Sequence, residues 1–270
     1  MDQYNNYGQP MYEMPHQTIT KSGVITKSLI GLLIVAAITF TYFVTGFSIS
    51  MNQPFIGLTI LLILVWFVAP FCANKTRTTT GITQVLFWLG NIVIEGVFLG
   101  EVCNNLLAYG IYATNGAMLE NLGSIIGLAL LIVISLALAG IALIPMLLKH
   151  FEASLKYGTI ILRLAIFTST FMIAFFAIGL VLSFFGMPGL LNIYYDAVLG
   201  FNPVAIGISL LFVVFSFILY LGALMQVAEM KNADKGEEYF ASILIISCLT
   251  DIFYYVLRLI ILIFGANSDD

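Results

Sequence analysis

Seven runs of predominantly apolar residues, each at least 19 long, divide this chain. They cover Ser28–Phe47, Pro54–Cys72, Gln84–Ala108, Leu122–Leu148, Thr159–Phe185, Pro203–Ala228 and Tyr239–Phe264. A helix rises about 1.5 Å per residue, so about 20 residues cross the roughly 30 Å hydrocarbon core of a bilayer. Inside lipid a helix satisfies its own backbone. A closed barrel would need strands of about 10 residues with alternating polarity, which these runs lack. Only 9 % of the residues are charged and 61 % are hydrophobic. A soluble domain carries about 25 % charged residues, so this chain cannot cover a water-facing surface. It reads as an all-α integral membrane protein, a bundle of seven transmembrane helices.

Residues 1–20, MDQYNNYGQPMYEMPHQTIT, are polar and aperiodic and read as a disordered tail. Residues 21–265 form the transmembrane domain, and 266–270 form a short acidic tail. The first apolar run is too long for a signal peptide, and no small-residue cleavage site follows it. Lys21, Lys27, Lys75, Arg77, Lys149, Lys156, Lys231 and Lys235 all fall before the first run or between runs two and three, four and five, or six and seven. The alternate loops, 48–53, 109–121 and 186–202, hold no Lys or Arg. The positive-inside rule then places the N-terminus in the cytoplasm and the C-terminus outside, in a multi-pass protein of the cell membrane.

The remaining basic residues, Arg163 and Arg258, lie inside predicted helices, as do Glu95, Glu101 and Asp251. A charge at mid-bilayer costs at least about 2.5–3.5 kcal/mol and usually faces a bundle interior or a wet cavity. With helix starts near Gln84 and Phe240, Glu95 and Asp251 each lie eleven residues in, about 16 Å, near the membrane midplane. Glu101 and Arg258 fall together near the outer boundary, where they are expected to pair. Glu95 and Glu101 are six apart and face directions about 120° different, so one cavity need not take both. Arg163, about one and a half turns into its helix, either snorkels to the headgroups or turns inward. Cys72, Cys103 and Cys248 lack metal-ligand or disulfide spacing, and His16 and His150 are isolated, so neither a metal nor a cofactor is expected.

The stretches GVITKSLIGLLIVAA (Gly23–Ala37), IEGVFLG (Ile94–Gly100), VLSFFG (Val181–Gly186) and DIFYYVLRLI (Asp251–Ile260) follow one another in an order and spacing that resembles the Bax inhibitor-1 family. This is the family of transmembrane Bax-inhibitor-motif proteins, and the likeness is to its bacterial YccA-like branch. The resemblance implies a compact helical bundle acting as a pH-sensitive calcium leak channel, with paired aspartates from helices six and seven and an arginine as a proton-controlled latch. It also implies partner binding to membrane proteases or cell-death factors. Asp251 matches the helix-seven aspartate and Glu95 the family glutamate. Where the helix-six aspartate would stand, this chain has Leu221, Gly222 and Ala223.

The leading expectation is therefore a passive, pH-sensitive cation (calcium) pathway carried by Glu95 and Asp251. Glu101, Arg258 and Arg163 are its supporting charges, and calcium or protons are the permeant ions. Protonating either carboxylate would remove a negative charge and with it attraction for a cation. The alternative is a non-transporting regulator that binds membrane proteases or other membrane proteins. No HExxH, GxSxG or phosphate-binding glycine loop supports an enzyme, and no basic patch supports a nucleic-acid partner.

Overall fold

The computed structural model describes residues 20–46, 60–61, 63–114, 116–149, 202–229 and 237–266, with Ile178, Phe185 and Gly189 as single positions. Every regular element among them is helical. The helices are α1 (Lys21–Thr45), α2 (Ala69–Thr78, entered through a π-helical turn at Leu64–Val68), α3 (Gly81–Ala113), the short α4 (Ala117–Glu120), α5 (Leu122–Lys149), α6 (Pro203–Glu229) and α7 (Glu237–Ala266). Five of them, α1, α3, α5, α6 and α7, are long and apolar enough to cross a membrane. They coincide with the first, third, fourth, sixth and seventh apolar runs. The second run is helical where described and continues past its apolar part to Thr78. The fifth run, with Arg163, falls outside the described residues apart from Ile178 and Phe185, as do residues 1–19, His150 and the tail 267–270.

The helices extend beyond their apolar runs because local chemistry, not hydropathy, ends them. Thr20 caps α1: its hydroxyl accepts from the Gly23 N–H at 3.0 Å. At the start of α6, Asn202 Oδ1 accepts from the Ala205 N–H at 2.9 Å, and Pro203 occupies the first helical position, where its missing donor costs nothing. The wide turn before α2 precedes Pro70, whose ring would clash with the carbonyl four residues back in a regular helix. Between α2 and α3 only Thr79 and Thr80 intervene, and Gly81 takes φ 65°, a left-handed conformation open to glycine. The carbonyls at the end of α2 find side-chain donors there: Gln84 Nε2 donates to Thr76 O at 2.6 Å and Thr79 Oγ1 to Lys75 O at 2.6 Å.

Helix α7 is the axis of the assembly. It packs against α1, α2, α3, α5 and α6. In its most apolar 18-residue window 61 % of residues are buried, against 22–33 % in the other four spans. The buried seam of α1 runs Val24, Ser28, Gly31, Val35, Thr39 and Tyr42, steps of three and four that keep one helical face on α3 and α7. Gly31 lets the crossing close: a Cβ there would meet Ile246 Cδ1 at 2.3 Å. The outward faces stay apolar, with Leu29, Leu33, Phe40 and Val44 exposed on α1 and Leu131, Ile134, Leu138 and Ile141 on α5. In water such patches would drive aggregation, whereas in lipid they are the solvated surface.

Charged groups tie the helix ends. Glu238 opens α7 and is buried, with Lys27 of α1 as its ion-pair partner. It also accepts from the Thr20 N–H at 2.7 Å and the Thr20 hydroxyl at 2.9 Å. Beside it, Arg77 Nε donates to Glu237 at 2.9 Å, and its guanidinium lies 4.7 Å from the centre of the Phe240 ring. The start of α1, the end of α2 and the start of α7 thus share one end of the bundle. Lys27 and Arg77, from two different basic segments, meet there.

Candidate functional site

Helices α3 and α7 carry intramembrane carboxylates at matched levels. Measured from the observed helix starts, Glu95 is 14 residues into α3 (95 − 81) and Asp251 is 14 residues into α7 (251 − 237). At about 1.5 Å per residue both sit about 21 Å from their helix starts, near the middle of each helix. Both starts lie three residues before those expected from hydropathy, so the two levels remain equal.

The structure brings these two residues to one cavity of about 110 Å³ between α3 and α7. Glu95, Phe98 and Val102 line it from α3, at spacings of three and four that form one face. Thr250, Asp251, Tyr254 and Tyr255 line it from α7. Asp251 presents an exposed side chain, and Glu95 is half-buried. Glu95 is held from across the interface: the Ser247 hydroxyl of α7 donates to Glu95 Oε1, and the Thr250 side chain reaches the same carboxylate. Thr250 in turn donates to Ser247 O at 2.9 Å, which fixes its rotamer.

Glu101 and Arg258 behave differently from expectation. Their levels match, at 20 residues into α3 (101 − 81) and 21 into α7 (258 − 237). Yet among the described residues the ion pairs are Lys27–Glu238 and Arg77–Glu237, with none between Glu101 and Arg258. Glu101 is buried and accepts from Asn105 Nδ2, one turn further along α3, at 3.4 Å. Arg258 is buried, and its Nε and Nη2 lack hydrogen-bond partners among the described residues. Sequence position fixes height along a helix, whereas pairing also needs two matching azimuths, and no ion pair forms between these two. Neither lines the cavity. The place of Arg163 lies outside the described residues.

Several polar residues were not singled out from the sequence. Ser247 carried a usable signal, a hydroxyl one turn before an intramembrane aspartate on the same helix. Glu238 carried one too, as part of an acidic pair at the start of an apolar helix, where the dipole favours negative charge. The Trp88 indole N–H donates to Ser242 Oγ at 2.9 Å, a buried α3–α7 tie that no sequence pattern announces. Cys72, Cys103 and Cys248 are free thiols, and among the described residues no group of three or more His, Cys, Asp or Glu could hold a metal. A scan against protein-family models, a search of curated proteins and a search of solved structures each found no match to this chain.

Proposed function

We propose that the chain is a passive, pH-modulated cation pathway of the cell membrane, with calcium as a permeant ion, controlled by the protonation of Glu95 and Asp251. Its seven spans run from a cytoplasmic N-terminus to an external C-terminus. The observation that carries this reading is the shared cavity: two carboxylates from adjacent helices, at equal depth near mid-helix, lining one space of about 110 Å³. With both ionised, the cavity is negative and attracts a cation. Protonation at lower pH removes that attraction, so flux rises with pH. The Ser247 and Thr250 contacts tie Glu95 to α7, the helix that carries Asp251. Two carboxylates are fewer than the six to eight or so oxygen ligands of a resident calcium site, which suits transit rather than storage. The resemblance to Bax inhibitor-1 proteins agrees with this reading. Glu95 on α3 takes the place of the helix-six aspartate, since α6 offers Leu221, Gly222 and Ala223.

The test is calcium flux into proteoliposomes between about pH 5 and 8. Wild type is expected to show a pH-dependent flux that Glu95→Gln and Asp251→Asn each flatten. Wild-type profiles in both folded variants would make the carboxylates structural. Absence of flux from folded wild-type protein would favour a regulator that acts by binding membrane proteases or other membrane proteins.

A further inference from the structure

The wall of the α3–α7 cavity is richer in aromatic rings than an inorganic ion calls for. Beside Glu95 and Asp251 stand the rings of Phe98, Tyr254 and Tyr255, and no basic side chain lines it among the described residues. Calcium seeks oxygen ligands on most sides, and rings offer none. An organic ammonium ion differs: its charge is diffuse, its methyl groups are apolar, and the negative face of a ring attracts it. The rings are held in place without a ligand. Tyr255 stacks on Phe212 of α6 with centroids 4.9 Å apart and an interplanar angle of 11°, and Tyr254 meets Tyr255 edge-on at 5.0 Å. The Lys and Arg side chains that lie over rings among the described residues belong to the other elements, Lys27 on Tyr239, Lys75 on Phe71 and Arg77 on Phe240. Size narrows the ligand. An apolar cavity of about 150 Å³ holds benzene, so about 110 Å³ suits roughly four to five heavy atoms.

We propose that this cavity binds a small alkylammonium cation, with its charge between Glu95 and Asp251 and its methyl groups against Phe98, Tyr254 and Tyr255. The proposal rests on the reading of this cavity as a cation site and names the class of cation that it selects. Calorimetric titration of the purified protein in neutral detergent with tetramethylammonium chloride tests it, with tert-butanol as an uncharged probe of similar size. Saturable one-site binding of tetramethylammonium is expected, with tert-butanol at least about tenfold weaker. Asp251→Asn and Tyr254→Leu should each weaken binding about tenfold, while Tyr254→Phe keeps the ring and retains it. No saturable binding to wild type, equal binding of tert-butanol, or wild-type affinity in both Asp251→Asn and Tyr254→Leu would overturn the proposal. Binding is measured without flux, so the two readings fail separately. Ammonium binding by a protein that conducts nothing removes the pathway and keeps the site; pH-dependent flux without ammonium binding does the reverse.

Discussion

Replacing Lys27 by methionine should strand a buried carboxylate at the start of α7. The Glu238 side chain is 1 % exposed and that of Lys27 is 16 % exposed, so their pairing is largely shielded from water. Removing one partner of a buried ion pair typically costs about 3–5 kcal/mol, because the remaining charge is left without compensation. Here the Thr20 N–H and hydroxyl continue to donate to Glu238, at 2.7 and 2.9 Å. Hydrogen bonds to a charged group contribute about 1.5–3 kcal/mol each, so the loss should fall at the lower end, about 3 kcal/mol. In the double variant Lys27→Met/Glu238→Gln the stranded charge is gone, and the two effects should fail to add by about 1.5–2 kcal/mol. SDS-induced unfolding in mixed micelles, followed by Trp88 fluorescence in a Trp66→Phe background, provides the measurement. Trp88 is a local reporter: its ring centre is 5.8 Å from that of Tyr239, over which the Lys27 ammonium lies at 4.6 Å. A loss below about 0.5 kcal/mol for Lys27→Met, or strict additivity in the cycle, would refute a stabilising buried pair.

Gly31→Ala should cost about 1–3 kcal/mol in the same assay, since the added methyl lands 2.3 Å from Ile246 Cδ1 and forces α1 and α7 to repack; an unchanged midpoint would show that Ile246 simply turns away. Arg258→Met should leave stability within about 1 kcal/mol of wild type or raise it, because a buried guanidinium with two nitrogens unpartnered among the described residues gives little in return for its desolvation; a loss above about 3 kcal/mol would mean that the arginine has a stabilising partner. For topology, single cysteines at Asn5 and Ser268, in a background lacking the native three, are exposed to an impermeant thiol reagent on intact cells. Labelling is expected at Ser268→Cys alone, and labelling at Asn5→Cys alone would invert the assignment.

Much of this architecture is written in the order of residues. The apolar runs determine that the chain is helical and membrane-sized, because a run of such length has no other way to satisfy its backbone in lipid. Counting along α3 and α7 sets Glu95 level with Asp251, and Glu101 level with Arg258, since a helix converts sequence number into height at a constant rate. What counting cannot supply is azimuth. In a soluble protein the polar face of each helix reveals which way it turns, but in a bilayer the lipid-facing residues are as apolar as the packed ones. Leu33, exposed on α1, and Ile92, buried on α3, are alike in hydropathy and opposite in environment. Only the packing of α1, α2, α3, α5 and α6 around α7 decides that Glu95 meets Ser247 and shares a cavity with Asp251, while Glu101, six residues on, turns to Asn105 and forms no ion pair with Arg258. The same packing decides that Glu238, at the edge of an apolar run, is among the most buried charges described, because Lys27 and Thr20 of another helix close over it.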